Sequence, residues 1–453
     1  MLKSPPRLSR RRFVKTLGAA ALGAPFISRH LRSAPPSGVL RHASFGASGM
    51  AWNDIQAICS NPFVKLVAVA EVDLNRLEEF KAWYPDVKVY QDWREMLDRE
   101  RDNIDSVNVS TPDHQHALMA ASALQLGKHV YCQKPLAHSL RETRVLTRLA
   151  REPRVVTQMG IQVHSQRPYR QAVALVQSGA IGKVKEVHTW SDKKWGAAGA
   201  PPATDDVPPA GFDWDLWLGG CAPRPFVEGH YHPLEWRRRL DFGTGTFGDM
   251  GCHIFDPVFE ALALTAPLSV RSEGPAPDAW NWSINARVHY VFPGTRFTAG
   301  RVAVTWYDGD ERPPPHIMEL VARPEPEDEK AREEDPHFQG SIIIGSEGVL
   351  HVPHVATPRL FPLEKFKDHP MPEVKDAHHW SEWAEACLSG AKPSANFDYS
   401  GPLTEAVLLG SVAVRFPQKT LEWNSDALRF ENVPEANAFV RRTYREGWRI
   451  PGL

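Results

Sequence analysis

Two short runs in this 453-residue chain combine residue types that do chemistry at a meaningful spacing. Gly46-Ala47-Ser48-Gly49-Met50-Ala51 is a glycine-rich turn of the G-x-G-x-x-G kind. In such turns the glycines permit a tight bend, close approach to a pyrophosphate and helix–strand packing. Here Gly46 stands first, Ser48 replaces the second glycine and Ala51 the third, with Gly49 adding freedom beside them. Ser48 puts a side chain where backbone should meet phosphate. Glu71 follows at about the distance expected of a carboxylate that binds the adenosine ribose diol. Its charge repels a 2′-phosphate, so NAD is expected over NADP, although Arg76 stands near enough to accept a phosphate instead.

The second run, Gly248-Asp249-Met250-Gly251-Cys252-His253, has D-x-x-x-H spacing, which puts both side chains on one face of a helix. Together with a lysine, this pair suits oxidation of a secondary alcohol. An imidazole that titrates near neutrality takes the hydroxyl proton, an ammonium binds the developing alkoxide, and a carboxylate orients the two. Taken singly, each has a bland reading: an Asp helix cap and a core His.

These groups need a scaffold. From Val39 to Gln158, β-type runs (Val39–Phe45, Val64–Val69, Val87–Tyr90, Ser106–Val109, His129–Cys132, Val155–Gln158) alternate with helical patterns. Leu74, Leu77 and Phe80 recur at helical spacing, and His116–Gln125 ends at Gly127. The alternation predicts an α/β fold with a doubly wound parallel sheet. The first run is unusually polar for a central strand. Further on, Ala286–Phe292, Phe297–Trp306, Ser341–Ile344 and Val349–Val352 read as strands of a second sheet. Trp380, Trp383, Ala384, Cys387 and Leu388 form a helical stripe that reads as core. Pro313–Asp335, rich in Pro and Glu, reads as a solvated surface excursion.

The length is enough for two domains, and 42% hydrophobic with 24% charged residues is not the composition of a disordered chain. No stretch approaches the ~20 apolar residues of a membrane span. Ser9-Arg10-Arg11-Arg12-Phe13-Val14-Lys15 followed by a mildly apolar run to Ile27 resembles a twin-arginine export signal, with Ala34 as a candidate cleavage point. Residues 1–34 carry eight Lys/Arg and no acid, so the remainder holds 45 basic against 54 acidic residues, a formal charge of −9. That balance argues against nucleic acid as a partner. The five cysteines (Cys59, Cys132, Cys221, Cys252, Cys387) show neither CxxC pairing nor metal-ligand spacing and are expected as buried thiols. His351, His354, His378 and His379 lack the acid or Cys that would complete a metal shell, so no metal is expected.

Three stretches carry a resemblance. Ser110-Thr111-Pro112-Asp113-His114-Gln115-His116, Cys132-Gln133-Lys134-Pro135 and Gly248-Asp249-Met250-Gly251-Cys252-His253-Ile254-Phe255-Asp256 occur in this order. Together they resemble the glucose–fructose oxidoreductase/inositol dehydrogenase (Gfo/Idh/MocA) family from about Val39 to the C-terminus. Trp214-Asp215-Leu216-Trp217-Leu218-Gly219, Tyr231-His232-Pro233 and Pro434-Glu435-Ala436-Asn437 look like an exported bacterial branch of it. The resemblance implies an NAD-binding domain over residues 38–160. It also implies a substrate and subunit-contact domain over 161–453, with an open, mostly antiparallel sheet that makes homo-oligomers.

The resemblance further gives Lys134 the place of the catalytic lysine in an E-K-P motif and makes Asp249 and His253 its partners. Gln133 departs from that motif, replacing the carboxylate. Gly46, Ser48, Gly49, Met50, Glu71, Ser110, Thr111, Pro112, Gln133 and Lys134 are expected to bind the cofactor, with His116 beside the nicotinamide. His114 reads as a structural turn residue. His164, Tyr169, Arg170, Tyr231, His232 and Arg237 are the candidates for the substrate pocket.

The main expectation is hydride transfer involving a hydroxyl of a sugar, glycoside or polyol. For an exported protein the cofactor should be tightly held, and the machinery that exports folded proteins would be a partner. One alternative is a redox-neutral NAD-dependent glycosidase needing one more base, Tyr231 or His232. Another is a sugar-binding protein without catalysis.

Overall fold

The computed structural model describes residues 38–322, 339–375 and 377–453. The twin-arginine segment lies outside these residues, as does most of Pro313–Asp335. The first six strands are β1 (Leu40–Phe45), β2 (Val64–Ala70), β3 (Lys88–Tyr90), β4 (Ser106–Val109), β5 (His129–Gln133) and β6 (Thr157–Gly160). They form one parallel sheet in the order β3-β2-β1-β4-β5-β6. The order reverses between β1 and β4, and doubly wound sheets bind ligands outside the strand ends at such a switch point.

The polar character of β1 has a lateral explanation. His42 and Ser44 are fully buried. His42 Nδ1 meets Ser106 Oγ at 3.0 Å and its Nε2 meets Asn108 Oδ1 at 2.9 Å, both on the neighbouring β4. Ser44 Oγ donates to the Gly46 carbonyl. Buried polar groups persist when they are paired, and here two adjacent strands pair them side to side.

A second sheet of nine strands follows β6: β7 (Val184–Ser191), β8 (Ser269–Glu273), β9 (Arg287–Phe292), β10 (Thr298–Asp308), β11 (Gly340–Gly345), β12 (Val349–Pro353), β13 (Arg359–Phe361), β14 (Thr420–Asn424) and β15 (Arg429–Phe430). Only β7 with β10 is parallel; the other recorded pairings are antiparallel. The strands expected at β9 to β12 are present, with strict in–out alternation in β9 alone of these four. β8, β13, β14 and β15 run only two to five residues each, too brief for a periodic signal, and of them only β13 and β15 are edge strands.

Two helices from the end of the chain return to the first sheet. His379–Ser389 places Trp383, fully buried, 5.7 Å from the Tyr131 ring of β5 in an edge arrangement. Phe397–Ala413 follows directly after Ala395, whose carbonyl accepts from the Met159 N–H of β6. One apolar cluster therefore runs from Ala43 and Val107 through to Val407 and Trp448. The expected core stripe holds at Trp383, Ala384 and Cys387, while Trp380 and Leu388 sit at its edge.

The excursion expected at Pro313–Asp335 needs correction in its first part. Pro315–Met318 is a helical turn, and Ile317 and Val321 pack against Trp190, Tyr307 and Ile342 of the second sheet. Two apolar side chains at a spacing of one helical turn outweigh the polar composition around them.

Candidate active site

The glycine turn sits at the switch point. Gly46 has φ +93°, and a Cβ there would meet the Ser110 carbonyl oxygen at 2.7 Å, so only glycine lets these two loops close together. The helix Met50–Cys59 then starts with no side-chain cap, leaving its first N–H groups open toward the turn. Ser48 does not point its hydroxyl at that opening. Its Oγ donates to Glu71 Oε2 at 3.3 Å, the same oxygen that accepts the Ala47 N–H at 3.0 Å. Glu71 Oε1 accepts the Asp73 N–H at 3.1 Å. Burial pushes the Glu71 carboxyl above its ordinary range, opposed by these backbone donors.

The helix Gly245–Ile254 carries the D-x-x-x-H pair. Three glycines make it a poor helix by propensity, so tertiary packing holds it: Gly251 lets the Phe247 ring lie across its own turn. Lys134, just past β5, reaches it. Its Nζ lies 2.6 Å from Asp249 Oδ1 and 2.8 Å from the Asp249 carbonyl oxygen. Arg237 Nε stands 3.5 Å from the same Oδ1. Burial alone would raise the Asp249 carboxyl, but the charges of Lys134 and Arg237 outweigh it and hold the group far below the carboxylate range. Asp249 is therefore a fixed anion.

His253 departs from the expectation of titration near neutrality. Burial first, then the Lys134 charge and the nearby His354 ring, moves its protonation well below the ordinary range. It stays neutral at pH 7, and its buried Nδ1 has no hydrogen-bond partner among the described residues.

A cavity of about 320 Å³ joins these parts. Among its walls are Gly46, Ser48, Gly49, Met50, Glu71, Ser110, Thr111, Pro112, Gln133, Lys134, Arg237, Asp249 and His253. Two roomier cavities, of about 370 and 580 Å³, contain none of them. The residues fit a dinucleotide: an uncapped helix start and tight glycine turn for a pyrophosphate, a buried carboxylate one strand away for a ribose, and Lys134 at the far end. Among the described residues no group of His, Cys, Asp and Glu could hold a metal, and all five cysteines are free thiols.

Comparison with known proteins accords with this geometry. Residues 40–161 match the family model "Oxidoreductase family, NAD-binding Rossmann fold", and residues 167–296 match "Oxidoreductase family, C-terminal alpha/beta domain". The chain belongs to the Gfo/Idh/MocA oxidoreductase family. Among curated members it is 26% identical to levoglucosan dehydrogenase of Pseudarthrobacter phenanthrenivorans, over 39% of this chain and 38% of that one. It is 30% identical to dTDP-3,4-didehydro-2,6-dideoxy-alpha-D-glucose 3-reductase of Saccharopolyspora spinosa, over 52% of this chain and 65% of that one. The match thus spans less than two thirds of these relatives. An aldose-aldose oxidoreductase from Caulobacter crescentus shares the fold with a TM-score of 0.56 at 16% identity, covering 85% of this chain and all 100% of that one.

Within this family site, the candidates separate. His232 and Arg237 line the cavity. Tyr231 does not: it is buried among Trp214, Trp217 and Phe242. His164 is buried with Asp256, its Nδ1 3.0 Å from both carboxylate oxygens. Tyr169 is buried too, its hydroxyl 2.7 Å from His354 Nδ1. Arg170 reaches away to the Lys375 carbonyl. His116 is not a wall of the cavity either. Its ring nitrogens meet the Pro135 and Thr111 carbonyls at 2.7 and 2.8 Å, tying together the two loops that are walls. Apart from Arg170, each residue that lies off the cavity wall is a Tyr or His held by packing or hydrogen bonds elsewhere.

Several walls were not singled out from sequence. Gln91 and Trp93 follow β3, the strand-end position where such sheets bind ligands, so their signal was present. Asp113 opens a helix inside a quoted motif, and Thr244 Oγ1 donates to it at 2.6 Å. Trp217, Leu234 and Trp236 arrive from a loop-rich stretch with no periodic signal.

Proposed function

We propose that the protein is an NAD-dependent oxidoreductase transferring a hydride to or from a hydroxyl of a sugar, glycoside or polyol. The observation that carries this reading is the Lys134–Asp249 pair, 2.6 Å apart, in one cavity with His253 and the glycine turn. Gly46 to Met50, Glu71, Ser110 to Pro112 and Gln133 hold the cofactor, and bound NAD supplies the hydride acceptor. Lys134, fixed by the Asp249 anion, donates a hydrogen bond to the substrate oxygen as negative charge develops there. His253, neutral and on the cavity wall, takes the hydroxyl proton. Trp236, over which the Arg237 guanidinium stacks at 4.3 Å, offers an apolar wall for a ring substrate.

NAD is preferred over NADP because the Glu71 carboxylate stands buried at the ribose end, while Arg76 is exposed at its mouth. The cofactor is retained between turnovers. Residues 210–213 are stitched to the end of β2 and to Gln91 by four hydrogen bonds: Leu74 N to Gly211 O, Asp213 N to Val72 O, and the Asn75 and Gln91 amides to the Ala210 and Gly211 carbonyls. His232 adds a bond to Asp73 Oδ2 at 3.1 Å. Of these residues Gln91 and His232 are walls of the cavity alongside Glu71. A retained cofactor suits a protein exported folded through a twin-arginine signal, where no pool of free NAD exists, and the open second sheet suits a homo-oligomer.

The redox-neutral glycosidase reading loses support from the same geometry. Tyr231 is buried in an aromatic cluster, and His232 is committed to Asp73, so neither nominated base serves the Lys134 end. Cofactor released from the purified, denatured protein should be near-stoichiometric NAD(H). Addition of a panel containing levoglucosan, myo-inositol and glucose should then change NADH absorbance with at least one member. A protein that carries no NAD, binds none when it is added, and responds to no polyol would overturn the reading.

A further inference from the structure

The helix Met50–Cys59 buries Ala51, Asp54, Ile55 and Ile58 along one stripe. Asp54 is an acid in a slot whose neighbours are apolar, and its exposure is 0%. Such a group is costly unless hydrogen-bonded. It has three bonds, all from neutral donors. Ser110 Oγ donates to Oδ2 at 2.6 Å, Gln133 Nε2 to Oδ2 at 2.8 Å, and Trp380 Nε1 to Oδ1 at 2.8 Å. No Lys or Arg hydrogen-bonds to it among the described residues. Burial pushes its carboxyl up to about 6, with the three donors pulling the other way.

Two of the three partners, Ser110 and Gln133, are walls of the cavity. Ser110 begins the loop Ser110-Thr111-Pro112, Gln133 immediately precedes Lys134, and Trp380 comes from the returning C-terminal helix. Gly160 makes the arrangement possible, since a Cβ there would strike the Gln133 amide at 2.8 Å. The donor directions are also fixed. Only an N–H₂ can face a carboxylate, so Gln133 has one amide orientation. Asn108 Nδ2 donates to Ser110 Oγ at 2.8 Å, which leaves the Ser110 proton for Asp54. His42 Nε2 then donates to Asn108 Oδ1. The chain His42–Asn108–Ser110 runs one way and ends on Asp54.

We infer that Asp54 is the positioning residue of the reaction: its carboxylate supplies the anion that Gln133 lacks and locks the Ser110 loop and the Gln133–Lys134 segment in register beneath the cofactor. This rests on the oxidoreductase reading above. A carboxylate is required because it is acceptor on both oxygens. An Asn at this position can accept from Ser110 and Gln133 through its oxygen but must then turn an N–H₂ against the Trp380 N–H. A longer Glu has no room in a fully buried slot.

The test uses the full chain in three forms: wild type, W380F and D54N/W380F. Replacing Trp380 with Phe removes the donor that an Asn N–H₂ would oppose, so the double variant loses the anion while its amide oxygen can still accept from Ser110 and Gln133; its thermal midpoint should stay within a few degrees of W380F. Against W380F, D54N/W380F should bind NADH at least tenfold more weakly by fluorescence titration. Its kcat for polyol oxidation should fall at least tenfold, with KM for the polyol changed less than threefold. A merely structural role predicts equal kcat and equal NADH affinity once folding is matched, and that result would overturn the inference. If the wild type binds NADH yet oxidises no polyol, the oxidoreductase reading fails while the NADH comparison still decides the role of Asp54.

Discussion

Lys134 Nζ sits 2.6 Å from Asp249 Oδ1, although 115 residues separate the two and they come from different parts of the fold. The lysine hangs from the end of β5 in the first sheet, and the aspartate rises from a helix of the second domain. The pair also holds the ammonium against the Asp249 carbonyl at 2.8 Å, so two contacts fix one cation. A preorganised donor of this kind acts on charge that develops during reaction without reorganising.

Removing that donor should cost most of the activity. Lys134→Ala is expected to lower kcat by about 10²–10³ while NADH affinity changes only slightly. Asp249→Asn keeps the shape but frees the ammonium, and a smaller loss of kcat is expected. Single-turnover kinetics with prebound cofactor measure both; unchanged rates for Lys134→Ala would remove it from the reaction.

Ser48 should prove neutral or helpful to cofactor binding. Its hydroxyl is turned onto Glu71, away from the helix start. Ser48→Gly is therefore expected to leave NADH affinity within about threefold or to weaken it, since a lost side-chain hydrogen bond is worth ~1 kcal/mol. A tenfold gain in affinity on titration would mean the side chain obstructs the phosphates.

The acid limb of activity should lie below the usual imidazole range. His253 must be neutral to accept a proton, and burial with Lys134 and His354 nearby lowers its protonation well below 6.5. Because its basic form persists on acidification, kcat/KM should hold as pH falls through 6.5 and decline only at more acidic values. A limb centred at 6.5 or above would assign it to another group.

The His164–Asp256 pair should show itself in stability rather than in catalysis. Burial by itself lowers His164, but the charge and hydrogen bond of Asp256 outweigh it and lift the group to about 9. A folded-state value above the unfolded one stabilises fully below about 6.5, and the benefit is lost as pH rises through 9. His164→Gln should therefore cost about 3 kcal/mol near pH 6, and the gap to wild type should narrow by pH 10. Urea unfolding at the two pH values measures this. A constant gap would make the pair ordinary packing.

Much of this was legible in the residues. Strand runs alternating with helical stripes indicated the parallel sheet, because burial on both faces leaves continuous apolar runs. The glycine turn, Glu71 and the D-x-x-x-H spacing were legible because each is local: a turn, a strand end, one helical face. Asp54 was not singled out from the sequence; its partners, Ser110, Gln133 and Trp380, are what give it meaning.

What the sequence determined by itself was the type of scaffold and the chemical alphabet of the site. The tertiary structure decided which residues meet. His116, His164, Tyr169 and Tyr231 carry the same chemistry as His253 and Arg237 on paper. Packing turned the first four toward carbonyls, Asp256, His354 and an aromatic cluster, and left the last two on the cavity wall. Packing also replaced the carboxylate missing at Gln133 with one 79 residues away, at Asp54. The physical reason is range. Periodicity and turn chemistry act over a few residues, whereas desolvation and ion pairing depend on whatever the fold brings within a few ångströms.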